Sequence, residues 1–159
     1  MTEEEYNQFD TDFAHCPGTH CEKADKCLHH TAHKMLAANK HETYSVVNPA
    51  LITGTQPCPL FELDRKERFA WGISHIYDNV RVADMRYIRN EIMYTLGTTV
   101  YYRIKQQRRV ITEEEQETIR NIFTEMGYDG NAIHFDRYEE KYPVLMRLYK
   151  LTKQQSHHH

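Results

Sequence analysis

Four cysteines lie in the first 58 of 159 residues: Cys16, Cys21, Cys27 and Cys58. The spacing is Cys-x4-Cys-x5-Cys, then thirty residues, then Cys58-Pro59. Thiolates are soft ligands, and four of them complete a tetrahedral zinc shell or anchor a cubane iron–sulfur cluster. The spacing matches neither the Cys-x2-Cys zinc knuckle nor the ferredoxin run. Zinc is placed first, with an iron–sulfur cluster as a close second. Buried free thiols remain an alternative, as do two disulfides, although disulfides are rare in the cytoplasm. His15, His20, His29, His30 and His33 crowd the same stretch. Any of them could replace a thiolate, and His29 and His33 stand four residues apart on a helix face. The competing reading is a solvated helix face.

A second group carries charge. Residues 1–64 hold four lysines and ten carboxylates, a net −6. Residues 65–110 hold ten basic and four acidic residues, a net +6, and residues 111–159 a net −3. The middle presents Arg81, Arg86, Arg89, Arg103, Lys105, Arg108 and Arg109. Two helices followed by a basic strand are the order of a helix-turn-helix with a β-wing, and Asn90 would join the outer face. A nucleic acid or an acidic protein is the expected partner. Tyr101 and Tyr102 could stack on bases or simply pack. The competing reading is a solvated basic face, and a pI near 6.4 weakens the nucleic-acid case.

Acid–base chemistry has one weak candidate, Asp136, Glu139 and Glu140 near His134, which also reads as the polar side of a surface strand. The chain has no nucleophile elbow, P-loop, dinucleotide fingerprint or His-Glu-x-x-His. No catalytic residue is assigned. Trp71 and the eleven tyrosines are read as packing residues.

Periodicity places these groups on elements. Residues 1–24 read as irregular chain with a Cys-Pro-Gly turn. Asp25 would cap a helix to about residue 39, with Cys27 in its first turn, where the helix dipole lowers a thiol pKa. A loop follows over 40–60, with a short strand at 43–47. Asp64 and Glu67 look like a capping box for a helix over about 65–79, with Phe69, Ile73, Ile76, Tyr77 and Val80 on one stripe. A further helix over 83–96 turns Met85, Ile88, Ile92 and Leu96 inward and stops at Gly97. Alternation of Val100, Tyr102 and Ile104 predicts a strand over 98–104, with 108–111 pairing back on it. Thr112 and Glu115 form a capping box for a helix carrying Ile119, Ile122, Phe123 and Met126, which Gly127 ends. A strand over 133–138 and a helix opened by Pro143, with Leu145, Leu148 and Tyr149 inward, complete the order.

The expected fold is α+β and mainly helical, with a small antiparallel sheet or hairpin and a Cys-rich N-terminal segment. That segment, 1–60, would pack on a body of 61–153 in a single domain. Residues 154–159 read as a tag remnant. A hydrophobic fraction of 40% supports a core, and 27% charged residues argue against membrane insertion. With no apolar run of membrane-spanning length and an acidic N-terminus, the chain is expected in the cytoplasm.

Several stretches also resemble a known family. They are Cys16-Pro-Gly-Thr-His-Cys21, Asp25-Lys-Cys27-Leu28, Val46-Val47-Asn48-Pro49 and Cys58-Pro59-Leu60-Phe61. Gly97-Thr-Thr-Val-Tyr101-Tyr102, Glu114-Glu115-Gln116, Gly127-Tyr128 and Phe135-Asp136-Arg137-Tyr138-Glu139 belong with them. The run from about Phe13 to Pro143 is similar to an uncharacterised family of gut Bacteroidales proteins. The resemblance implies an organism group and lends no catalytic residue. The residues themselves point to a metal-binding regulatory or adaptor module rather than an enzyme. A redox protein or enzyme using a cluster or reactive thiols is the alternative.

Overall fold

Ile88 and Ile92, one helical turn apart and almost without exposed surface, anchor the core of the second half of the chain. They belong to a computed structural model that describes residues 1–52 and 58–146. The chain divides into two compact units, Met1–Arg65 and Lys66–His159, five residues beyond the boundary expected at 60. The architecture is mainly helical α+β, with a two-stranded antiparallel sheet among the described residues.

The second unit opens with strand β1, Glu67–Trp71, and closes its sheet with β2, Arg137–Lys141. Glu67 pairs with Lys141 and Trp71 with Arg137. Ile111 forms a bridge to Ala70, exchanging both backbone bonds at 2.9 and 2.8 Å. Between the strands lie three helices, Val82–Leu96, Thr98–Lys105 and Glu113–Glu125. These are α3, α4 and α5 in chain order. Gly97, at φ +94°, separates α3 from α4. Thr112 and Glu115 form the capping box that starts α5, and Gln116 from its first turn donates to the carbonyls of Arg68 and Ile111. One apolar cluster contains Ala70, Ile73, Ile88, Ile92, Tyr101, Ile104, Ile111, Ile119 and Phe123.

Two expectations are reversed here. Residues 65–79 are not a helix. Phe69 and Ala70, neighbours in sequence, are both fully buried. A strand covered on both faces does this, and its apolar run imitates a helical stripe. Gly72, at φ +83°, ends the strand with the Asp136 carboxylate lying against it. Residues 98–104 are not a strand. Helix α4 buries Val100, Tyr101 and Ile104, which share one helical face but fall on opposite sides of a strand. With no strand there, 108–111 has no hairpin partner, and Ile111 joins β1 instead. The strand expected at 133–138 begins only at Arg137. Pro143 opens a single 3-10 turn, Pro143–Leu145, whereas Leu148 and Tyr149 lie outside the described residues.

The first unit contains α1, Glu3–Asn7, and α2, Leu28–Lys34. The irregular start expected over 1–24 thus contains a helix, fixed by a Thr2–Glu5 capping box. The single helix expected from Asp25 to about 39 is broken into a 3-10 turn at Ala24–Lys26, then α2, then a second 3-10 turn at Leu36–Ala38. The break has a cause. The Leu28 N–H donates to the Glu62 carbonyl at 2.7 Å and the Asp64 N–H to the Lys26 carbonyl at 2.8 Å. This bridge draws Cys27 into extended backbone, so it caps α2 rather than lying in a first turn. The strand expected at 43–47 is one bridge, Val46 to His15. No helix among the described residues is long and apolar enough to cross a membrane.

Candidate metal centre and basic surface

Each cysteine is set by a different local device. Cys16 begins a turn whose Gly18 adopts φ +75°, and the Gly18 N–H donates to Cys16 Sγ at 3.4 Å. A Cβ at Gly18 would stand 2.8 Å from His30 Nδ1 and 2.9 Å from Ala24 Cβ, so both backbone and space require glycine. The Cys21 N–H donates back to the Gly18 carbonyl at 3.2 Å, and the Cys27 N–H to the Ala24 carbonyl at 3.1 Å. Cys58 lies four residues before the Glu62 carbonyl that holds Leu28, so the bridge carrying Cys27 also returns the Cys58 loop to α2.

All four cysteines line one cavity of about 20 Å³. His29, His30, Val47, Ile52, Leu60 and Phe61 contribute to its wall. Cys16 and Cys27 are buried, Cys21 and Cys58 half-buried, and all four are free thiols. Burial pushes the Cys16 thiol up, the Gly18 N–H opposes this, and the other three cysteines push it further up. Thiolates gathered in an apolar wall repel one another, and a cation among them reverses that cost. Among the described residues, no three Cys, His, Asp or Glu side chains stand as a set that could hold a metal ion. The cysteines share the cavity without closing on a common point.

The histidines separate into roles that the sequence does not distinguish. His15 is buried and occupied, with Nε2 2.6 Å from the Tyr6 hydroxyl and Nδ1 3.0 Å from the Ser45 carbonyl. His29 Nδ1 lies 2.6 Å from the Ala14 carbonyl, and His30 Nδ1 3.0 Å from the Cys16 carbonyl. A carbonyl only accepts, so Nδ1 carries a proton in both rings, which in the neutral imidazole leaves the lone pair on Nε2. This is the tautomer that ligating histidines adopt. His33 stacks on His30 with centroids 6.2 Å apart. Helical spacing pairs His29 with His33, but the cavity takes His29 and His30, adjacent residues that no helical stripe would join.

The basic residues fall on α3, on α4 and in the turn after α4. Arg81, Arg86, Arg89, Arg103, Lys105 and Arg108 are exposed, and none forms an ion pair among the described residues. Arg109 differs. Its side chain is 4% exposed and its Nη1 bonds Glu115 at 2.9 Å, so it serves the interior and not a partner. The segment read as a β-wing is helix α4, and the first of the two expected helices is replaced by strand β1, so neither the helix-turn-helix nor its wing is present. Tyr101 is buried and shares a 3.1 Å hydroxyl contact with Tyr77, so packing is its role, whereas Tyr102 is exposed. Asp136 accepts from the Ser74 N–H and hydroxyl, and Glu139 from Trp71 Nε1 while pairing with Lys141. Those carboxylates brace the sheet end.

A family model matches residues 1–144. The chain belongs to DUF6078, a family of unknown function. The stretch matched to DUF6078 takes in the four cysteines, both cavity histidines and the six exposed basic residues. No curated protein and no solved structure matches the chain.

Proposed function

We propose that this chain is a small metal-binding protein, a non-enzymatic regulatory or adaptor module. Cys16, Cys21, Cys27 and Cys58 would hold one zinc ion, and the exposed part of the basic 81–109 region would bind a nucleic acid or an acidic partner. One observation carries the reading: four cysteines drawn from three separate loop segments reach a single cavity. Burial and the neighbouring thiols hold Cys16 towards its neutral form, opposed only in part by the Gly18 N–H, so a bound cation would be what favours the thiolate there. Binding requires the sulfurs to close on the ion by side-chain rotation to bonds of about 2.3 Å. The backbone bonds that hold Cys16, Cys21 and Cys27 around the cavity are already made. The ion would tie the Cys58 loop to α2 and stabilise a unit with a small core of its own. The same reading places the protein in the cytoplasm of a Bacteroidales organism and takes the cysteine spacing as a mark of its family.

Elemental analysis with a visible spectrum on anaerobically purified protein tests this. One zinc per chain without colour is the expected result, together with loss of zinc in Cys16→Ser and Cys27→Ser. Near-stoichiometric iron with acid-labile sulfide would replace the zinc reading with a redox one. Neither metal, with four thiols titrating freely in the native protein, would sink both.

A further inference from the structure

Helix α3 buries Ile88 and Ile92 on one side. The opposite side carries Arg86, Tyr87, Asn90 and Tyr94, residues three, four and seven apart and all exposed. Tyr94 is 88% exposed and Tyr87 55%. Among the described residues, neither phenol ring belongs to the apolar cluster or to the side chains packed against it. They are rigid, amphipathic contact groups of the kind that recognition surfaces use.

Charge narrows the partner. Residues 81–108 hold six exposed basic side chains and no exposed carboxylate. Asp84 and Glu91 are half-buried, and Asp84 accepts from the Tyr128 hydroxyl. A surface with this balance attracts polyanions. An acidic peptide would use the arginines and would need apolar side chains of its own to cover the rings. A duplex offers its phosphates and hides its base faces. A single strand offers both at once, since every base has a π-face to lay on an aromatic ring.

We propose that the outer face of α3 is a stacking platform for single-stranded nucleic acid, with Tyr87 and Tyr94 receiving bases and Arg86 meeting phosphate. This rests on the polyanion reading of the basic region and adds the bases to it. Seven residues of helix separate the rings by roughly 10 Å along the axis. At about 3.4 Å per stacked nucleotide, the two tyrosines span about four nucleotides.

The test is fluorescence anisotropy of a labelled twelve-nucleotide oligo-dT with the full chain at low salt. An abasic strand with the same number of phosphates, a duplex and inorganic polyphosphate serve as comparisons. Tyr87→Ala and Tyr94→Ala each weaken oligo-dT binding on the order of tenfold, the scale of one base–aromatic stack. Tyr87→Phe and Tyr94→Phe keep the affinity, because the ring is what stacks. Neither exposed tyrosine supports the core, so folding is unaffected in all four. Equal affinity for the abasic strand, or a double alanine variant that binds like the parent, would overturn the stacking and leave the polyanion reading standing. Tighter binding of duplex than of single strand would also overturn it. No binding of any strand or of polyphosphate would bring down both readings.

Discussion

Glu115 performs two tasks with one oxygen. Its Oε1 accepts from the Thr112 N–H at 3.1 Å, completing the cap of α5, and from Arg109 Nη1 at 2.9 Å. The two side chains are 16% and 4% exposed. Glu115→Ala removes both bonds and leaves a guanidinium charge in the interior. Breaking a buried pair from one side costs about 3–5 kcal/mol, and losing half a capping box adds roughly 0.5 kcal/mol or more. Arg109 keeps other partners, among them a 3.2 Å bond to the Val110 carbonyl, so the total falls towards the lower end, about 3–4 kcal/mol. Against a typical stability of roughly 5–15 kcal/mol this is a large loss. Trp71, the only tryptophan, lies in β1 of the same unit, so its fluorescence follows this unit through a urea titration. With a slope near 2 kcal/mol per molar urea, the midpoint drops by roughly 1.5–2 M. Glu115→Gln keeps an acceptor for both donors and loses about 1–2 kcal/mol. The double change Arg109→Met with Glu115→Ala recovers most of the loss, because no buried charge is left over. A shift under about 0.5 kcal/mol for Glu115→Ala, the range of a surface substitution, would refute the account of Arg109 as an interior residue.

Two further outcomes follow from the same unit. The Lys141 ammonium and the Trp71 N–H hold the Glu139 carboxyl below its ordinary value of 4.5. A depressed carboxyl pKa gives stability that is present above the unfolded value and lost as pH falls through the folded one. Trp71 emission should therefore titrate with a midpoint below 4.5, and Glu139→Gln should abolish the step; a midpoint above 4.5 would contradict the bond. Gly72→Ala should cost about 1–3 kcal/mol, since it meets both a positive φ and the Asp136 carboxylate. Gly127→Ala has a similar φ of +89° with nothing within 4 Å, and should cost about 1 kcal/mol. Equal losses in urea titrations of the two variants would show that the contact with Asp136 contributes nothing.

Helices α3 and α5 are legible in the sequence because their local signals agree with their tertiary setting. Ile88 and Ile92 repeat with the helical period, Gly97 stops α3, and Thr112 with Glu115 starts α5. The same capping signal at Thr2 and Glu5 marks α1, which composition alone hides. β1 and α4 are misread for opposite reasons. The apolar run of β1 is buried on both sides, so no alternation survives to mark it. In α4, β-branched and aromatic residues suit a strand by propensity, yet Val100, Tyr101 and Ile104 find a common core as a helix. The cysteines mark themselves by type and clustering. Their shared cavity depends on a bridge between Cys27 and Leu63, thirty-six positions apart, which no local pattern encodes. Arg109 looks like its basic neighbours in sequence, and only the fold turns it inward.

The antiparallel register of β1 and β2 has a mechanical side. Glu67, where the chain enters the second unit, lies opposite Lys141, where β2 ends. Tension applied through those two points would not shear the ladder as a whole. It would load the bonds one pair at a time, peeling the strands apart like a zipper from Lys141 toward Arg137. The unit thus has its weakest mechanical axis along the line on which neighbouring chain would pull. Of the helices enclosed between the two strands, α5 would share that force from the start, because Glu113 and Gln116 bond to Glu67 and Arg68.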